Sequence, residues 1–149
     1  MNQSPLHVAT VSFAATLDAF ETGCQSRTAI ACFNPIGTTD PFPATPSPLP
    51  FLMFNPTYAG EAAGVLAAVL VHEGTHFQQY LDLTSFNRPP LTTVDIEFVA
   101  WWNAAVYWGE VRSQFVPIDT PLEQEVEFGY RTALDGEAAL RDLIDSLYP

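Results

Sequence analysis

The chain has 149 residues, enough for one well-filled hydrophobic core and few for two ordinary domains, so its length predicts a single domain over residues 1–149. Hydrophobic residues make up 48% of the chain and charged residues 15%, a balance that excludes an intrinsically disordered protein despite 13 prolines. Seventeen acidic residues stand against five arginines and no lysine, and the formal charge of −12 disfavours nucleic acid and anionic membrane surfaces as partners.

The apolar patterning predicts a soluble protein. The longest apolar stretch with a helical pattern, residues 62–71, is too short to cross a bilayer. No basic residue precedes an apolar run at the amino terminus, so we expect no secretory signal in this sequence. Cys24 and Cys32 are eight residues apart, which matches no CxxC motif and leaves open either a short-loop disulfide or two buried free thiols.

The front of the chain predicts one helix and two short strands. Residues 4–23 combine a Ser-Pro start, apolar residues on one face and a glycine stop, which indicates a helix. Residues 28–33 are β-branched and apolar enough for a strand, and residues 34–50 carry six prolines and are predicted to form a long surface loop. Residues 51–54 form a short apolar run with a proline nearby on each side, which favours a strand at the edge of a sheet.

The rest of the chain predicts three helices. A helix from about residue 57 to 81 is apolar nearly all round in its first half, as expected for a helix surrounded by protein, and the Pro-Pro loop at residues 82–91 ends it. Capping-box spacing opens a third helix at residue 92, running toward residue 117, and a last helix at residue 120, with a bend at residues 135–136. Its expected apolar face consists of Leu122, Val126, Tyr130, Leu134, Leu140, Ile144 and Leu147. The layout is an α+β fold, mainly helical with a small sheet whose edge strand borders the second helix.

The second helix contains the motif His72-Glu73-Gly74-Thr75-His76, which has HExxH spacing. Two histidines four residues apart project from one face of a helix, where their ring nitrogens can share one metal ion. Glu73 points about 100° away around the helix axis, beside the metal rather than on it. This is the place for a general base, so the motif predicts a zinc site with a catalytic glutamate.

A catalytic zinc uses three protein ligands and one open position, so a third ligand must come from elsewhere in the chain. The metzincin continuation is absent, because Gln79 and Asp82 occupy the positions of its glycine and third histidine. Glu97 is the best-placed carboxylate, in the first turns of the next helix, and a glutamate on a neighbouring antiparallel helix can reach the metal. Lesser ligand candidates are Asp82, Asp95 and Glu110.

With this ligand set the sequence resembles the gluzincins, zinc peptidases whose HExxH helix is followed by a helix bearing a Glu-x-x-Ala type pattern. The pattern is represented here by Glu97-Phe98-Val99-Ala100, and the length of the chain is similar to that of the minimal members, the minigluzincins. The resemblance covers about residues 51–110. It implies that the strand before the active-site helix binds an extended peptide substrate by strand addition. The substrate-binding residues implied in this way are Phe51, Leu52, Met53, Phe54 and Asn55.

The predicted reaction is hydrolysis of a peptide bond. Zinc held by His72, His76 and Glu97 would lower the pKa of a water to about 7 and polarise the substrate carbonyl, with Glu73 as the proton carrier. A further donor is needed for the oxyanion, and Tyr107 is the first candidate. The other candidates for this role are Tyr58, Tyr80 and His7.

For each of three further side chains near the motif, the sequence allows two structural roles. Gln79 falls on the same helix face as the second histidine of the motif and is either an outer-sphere partner of the metal or a surface residue. Trp101 and Trp108 share the face of the predicted glutamate ligand and either line a pocket or pack in the core, of which core packing is the expected reading.

Two other functions compete with the peptidase. A di-iron carboxylate bundle would need two Glu-x-x-His pairs, and the chain has one, because the only other histidine, His7, follows Ser4 at that spacing. A latent or non-catalytic zinc-binding module of the same fold, acting as a binding domain or zymogen, would have its cleft covered by the proline-rich loop or the last helix. The sequence leaves this alternative open.

Overall fold

The structure, a computed structural model, describes residues 10–34, 51–86 and 91–149. Within these ranges it contains five α-helices and a small mixed β-sheet, which confirms the predicted α+β class. The chain divides into two compact units, residues 1–59 and 60–149, and the single domain stays a prediction. Among the described residues, no helix has the length and apolar character needed to cross a membrane.

The first unit is built around a three-stranded sheet. Its elements are β1 (Thr10–Phe13), α1 (Leu17–Cys24), β2 (Ala31–Asn34), β3 (Phe51–Phe54) and a short 3₁₀ helix (Pro56–Tyr58). The strand order is β1-β3-β2, with β3 parallel to β1 and antiparallel to β2. Phe20 and Met53 are fully buried between α1 and the sheet. A disulfide between Cys24 and Cys32 joins the end of α1 to β2, so the first of the two alternatives for these cysteines holds.

The helix predicted over residues 4–23 is wrong in its first part. Residues 1–9 lie outside the described residues, residues 10–13 form β1, and the helix begins only at Leu17, capped by the Thr16 side chain. Thr10, Val11 and Phe13 have the β-branched or aromatic side chains that favour strands, and pairing with β3 supplies the backbone hydrogen bonds. Tertiary pairing therefore overrides a helical spacing of apolar residues.

The prediction that residues 51–54 form an edge strand is also wrong in position, although the strand itself is confirmed. β3 lies in the centre of the sheet, and Phe51, Leu52, Met53, Phe54 and the following Asn55 are all buried. Neighbouring strands pair with β3 on both sides, so its backbone has no free edge for an added peptide strand. The expected substrate-binding role of these five residues by strand addition is therefore contradicted.

The predicted loop over residues 34–50 begins at the end of β2, and residues 35–50 lie outside the described residues. The strand predicted over residues 28–33 is confirmed with its bounds shifted, since β2 covers Ala31–Asn34.

The second unit is entirely helical in its described part. Its elements are α2 (Ala63–Phe86), α3 (Thr93–Val111), a short 3₁₀ helix (Arg112–Phe115), α4 (Pro121–Leu134) and α5 (Glu137–Leu147). Thr92 caps α3, and Thr120 with Glu123 forms a complete capping box on α4, as the sequence predicts. The second helix starts later and ends later than predicted, because residues 56–58 form a separate 3₁₀ turn and α2 continues to residue 86.

The predicted bend in the last helix is a complete break. Gly136 has a φ of 111°, which an L side chain rarely adopts, and it separates α4 from α5. The expected apolar face is only partly buried: Leu122, Leu140 and Ile144 are almost fully enclosed, whereas Leu134 is 68% exposed. The break turns α5 back so that it packs on α3 as well as on α4.

A buried carboxylate joins α3 to α4. Glu127 is 8% exposed and accepts hydrogen bonds from Trp108 Nε1 at 2.8 Å and from Arg131 Nε at 2.8 Å. Arg112 approaches it with two guanidinium nitrogens, the Nε at 2.9 Å. Trp108 is fully buried and stacks on Phe115, which confirms its core role. This one acid satisfies the indole N–H that would otherwise be buried without a partner.

The Glu127→Ala variant should lose roughly 3 kcal/mol of unfolding free energy, because it leaves the Trp108 N–H and the Arg112 guanidinium without their acceptor. The Arg131→Ala variant should change stability little, since the Arg131 side chain is 69% exposed. Urea denaturation followed by tryptophan fluorescence measures both values. Equal losses in the two variants would contradict the central place of the carboxylate.

The same carboxylate should make the fold sensitive to acid. Hydrogen bonds from Arg112, and then from Trp108 and Arg131, outweigh burial and lower the pKa of Glu127 to about 2. Its stabilising contribution is therefore complete above the ordinary glutamate pKa, near 4.3, and is lost as the pH falls toward about 2. The stability difference between the parent and Glu127→Gln should shrink across this window in urea titrations, and a difference independent of pH would overturn the assignment.

Candidate metal centre

Two neighbouring helices carry the candidate centre. The HExxH motif lies in the middle of α2, and Glu97 lies in the second turn of α3. Two side-chain bridges show that the helices run antiparallel, because Gln79 contacts Ile96 whereas Thr75, earlier in α2, contacts Asn103, later in α3. The arrangement that the sequence predicts for the third ligand is therefore present.

Three predicted ligands meet at one point. The Nε2 atoms of His72 and His76 are 3.2 Å apart. The Glu97 carboxylate approaches both, with Oε2 3.3 Å from His72 Nε2 and Oε1 3.6 Å from His76 Nε2. All three side chains are between 13% and 16% exposed, so the cluster is largely enclosed but still reaches solvent. Among the described residues, these three form the group of metal-ligating side chains with suitable spacing.

The spacing fits a tetrahedral zinc ion. Zinc bonds to nitrogen and oxygen are about 2.0–2.1 Å long, so neighbouring ligand atoms around a tetrahedron lie roughly 3.3 Å apart. The observed separations of 3.2, 3.3 and 3.6 Å agree with this edge length to within a few tenths of an ångström. Glu97 Oε2 is buried without a hydrogen bond of normal geometry, as expected for an atom whose partner is a metal. The donor set of two imidazoles and one carboxylate is one that catalytic zinc sites use.

The three ligands also influence one another electrostatically. Burial alone would raise the pKa of Glu97, but contact with the imidazoles of His72 and His76 outweighs it and lowers the pKa to about 2. Burial alone would lower the pKa of His76, but the carboxylate of Glu97, helped by Gln79 and Glu73, raises it above its ordinary value. The carboxylate is therefore ionised over the whole neutral range, in the state that binds a metal.

Glu73 is buried beside the cluster. Its side chain is 8% exposed, and its negative charge contributes to the raised pKa of His76. Glu73 is not among the three side chains whose ligand atoms converge, and its place beside the metal position stays a prediction from the helix geometry. A buried carboxylate next to a metal position is suited to accept and return a proton.

Tyr107, the first of the predicted oxyanion donors, is not brought to this cluster. Tyr107 lies on α3 ten residues after Glu97, which is roughly 15 Å along a helix axis. His7 lies outside the described residues, and Tyr58 belongs to the first unit. Tyr80 interacts with other residues of the structure.

The structure instead places Tyr148, at the end of α5, beside the cluster. Burial, and then the negative charge of Glu97, raise the pKa of Tyr148 to about 12, and its hydroxyl also neighbours the indole of Trp101. The rings of Trp101 and His72 in turn meet edge to face, with ring centroids 5.8 Å apart. Sequence reasoning missed Tyr148, because only the reversal of the chain between α4 and α5 brings the end of the chain back to α3.

Comparison of the chain with protein-family models, with curated proteins and with solved structures finds no match.

Replacement of Glu97 tests the third ligand. Glu97→Ala should weaken zinc binding by more than the roughly 10–100-fold typical for loss of an outer-sphere partner, since it removes a direct bond to the metal. The matched control is Glu110→Ala, an exposed carboxylate on the same helix, which should bind zinc like the parent. Competition with a chromophoric chelator measures the affinities. Equal affinities in Glu97→Ala and the parent would place the third ligand elsewhere.

Proposed function

We propose that this protein is a zinc-dependent peptidase that hydrolyses peptide bonds, with Glu73 as the general base. The observation that supports the proposal most directly is the convergence of His72, His76 and Glu97 at the spacing of a tetrahedral ion, with a buried carboxylate alongside. The HExxH spacing is typical of metallopeptidases, in which the glutamate of the motif handles the proton of the attacking water. The gluzincin resemblance agrees with this function.

His72, His76 and Glu97 would hold the metal, and the remaining groups would handle the substrate. Zinc bound to such a ligand set supplies a Lewis acid that lowers the pKa of water to about 7 and polarises a carbonyl. The Glu73 carboxylate would accept the proton of the attacking water on one of its oxygens and then give it to the nitrogen of the departing amine. Because Glu73 starts and ends the cycle as a carboxylate, the protein is returned unchanged.

Tyr148 would serve this reaction better than the tyrosine expected from the sequence. Its hydroxyl lies beside Glu97 and Trp101 and, like any tyrosine hydroxyl, is protonated at neutral pH, so it can donate a hydrogen bond to a developing oxyanion. The role proposed for Tyr107 has no support in its position on α3.

The decisive variant is Glu73→Gln. An amide cannot accept the proton of water, yet all three ligands persist, so zinc should bind with the affinity of the parent while peptide cleavage is lost by about two orders of magnitude or more. The control is Glu110→Gln, which changes an exposed glutamate and should retain both properties. Metal analysis and a broad peptide-cleavage screen, read by mass spectrometry, give the two measurements.

The outcomes separate the peptidase from its rival. Zinc near one equivalent together with cleavage by the parent supports the peptidase. Zinc without cleavage of any peptide supports a latent or non-catalytic zinc module. A parent protein that binds no zinc after loading at neutral pH would overturn both functions.

A further inference from the structure

Gln79 connects the two helices that carry the metal ligands. It lies one helical turn after His76, and its side-chain oxygen Oε1 is 3.0 Å from His76 Nδ1. The amide nitrogen of the same side chain donates to the backbone carbonyl of Ile96 at 3.0 Å, and Ile96 directly precedes Glu97. One side chain therefore contacts a ligand on α2 and the backbone next to a ligand on α3.

The direction of these two hydrogen bonds can be deduced by elimination. A backbone carbonyl only accepts, so the NH₂ group of Gln79 must face Ile96. The oxygen of the amide must then face His76, and since that oxygen also only accepts, Nδ1 of His76 must carry the hydrogen. In a neutral imidazole the hydrogen on Nδ1 leaves the lone pair on Nε2.

That lone pair is directed at the metal position, because Nε2 of His76 is the atom that lies 3.2 Å from His72 Nε2 and 3.6 Å from the Glu97 carboxylate. The other tautomer would place a hydrogen on Nε2 and block coordination until it left. The amide of Gln79 thus selects the tautomer that can bind a metal.

We propose that Gln79 is a positioning residue of the metal centre, which holds His76 in its metal-binding tautomer and fixes the register of the backbone before Glu97. The proposal rests on the proposed zinc site for its consequence, but the tautomer itself is a property of the metal-free protein. Of the two roles that the sequence leaves open for Gln79, the outer-sphere partner of the metal is therefore favoured over the surface residue. The side chain is partly buried and makes two directed hydrogen bonds.

The chain supplies a matched control on the same pair of helices. Asn103 on α3 donates to the hydroxyl of Thr75 on α2 at 3.1 Å, and the Thr75 hydroxyl donates to the Val71 carbonyl. This bridge also joins α2 to α3 through a side-chain amide, but it contacts no ligand atom. Loss of the Asn103 bridge reports the structural effect of uncoupling the helices, whereas loss of Gln79 adds the effect on His76.

The test compares Gln79→Met, Gln79→Glu and Asn103→Leu with the parent. Gln79→Met keeps the size of the side chain and removes both hydrogen bonds, and zinc affinity should fall about 10–100-fold. Gln79→Glu retains an acceptor for His76 Nδ1 but has no donor for Ile96, so it should recover most of the affinity. Asn103→Leu should bind zinc like the parent. Zinc affinity is measured by chelator competition, and the metal-free melting temperature is recorded for each variant.

A second measurement needs no metal. In the zinc-free parent, ¹⁵N NMR of the imidazoles at alkaline pH should show His76 with its hydrogen on Nδ1, and in Gln79→Met the Nε2–H form should appear. The proposal is overturned if His76 keeps the same tautomer in Gln79→Met, or if Asn103→Leu weakens zinc binding as much as Gln79→Met does. If the parent binds no zinc, the proposed function fails. The tautomer seen by NMR would still show whether Gln79 positions His76.

Discussion

The Nε2 atoms of His72 and His76 and the two carboxylate oxygens of Glu97 converge in a largely enclosed space between α2 and α3. The two Nε2 atoms are 3.2 Å apart, and each lies within 3.6 Å of one of the carboxylate oxygens. Electron-rich atoms at this distance repel one another unless a proton or a metal ion lies between them. The convergence of His72, His76 and Glu97 therefore imposes a constraint on the fold, since neither helix can rotate or slide without separating the three ligands. Contacts that α4 and α5 make with α3 help to keep the helices in this register.

Contacts behind α3 hold the register that the ligands need. A Cβ atom at Gly129 would lie 2.6 Å from the indole of Trp101, so only glycine lets α4 approach this closely. The Trp101 ring in turn makes an edge-to-face contact with the ring of His72. Arg141 of α5 binds Asp95 in the first turn of α3 at 2.9 Å, which holds the start of the helix just before Glu97. α4 and α5 therefore both support the candidate centre. α4 packs on Trp101, whose ring contacts His72, and α5 binds Asp95, which fixes the start of the helix that carries Glu97.

The parts of the site that depend on one helix were predictable, and the parts that depend on distant pairing were not. The i,i+4 spacing of His72 and His76 determines their common face locally, and Glu97 required only that two consecutive helices pack antiparallel. The strand at Thr10–Phe13 carries apolar residues at spacings that also suit a helix, and its pairing partner lies some forty residues away. The prolines on either side of residues 51–54 favour an edge position for β3, and only the distant pairing with β1 places it in the centre. Tyr148 depends on the chain reversal before α5, whose direction no local pattern specifies.

The candidate centre lies in a strongly acidic chain. The sequence has a formal charge of −12, and two of its carboxylates, those of Glu97 and Glu73, both act on His76 and raise its pKa. Without a metal, a proton on the imidazole of His76 supplies positive charge beside these carboxylates, which is the physical meaning of its raised pKa. A metal ion that binds the same nitrogen must displace that proton, so proton and metal compete for one atom, and the metal gains its advantage as the pH rises. A divalent cation bound at this cluster would neutralise the mutual repulsion of its electron-rich atoms more fully than one proton does.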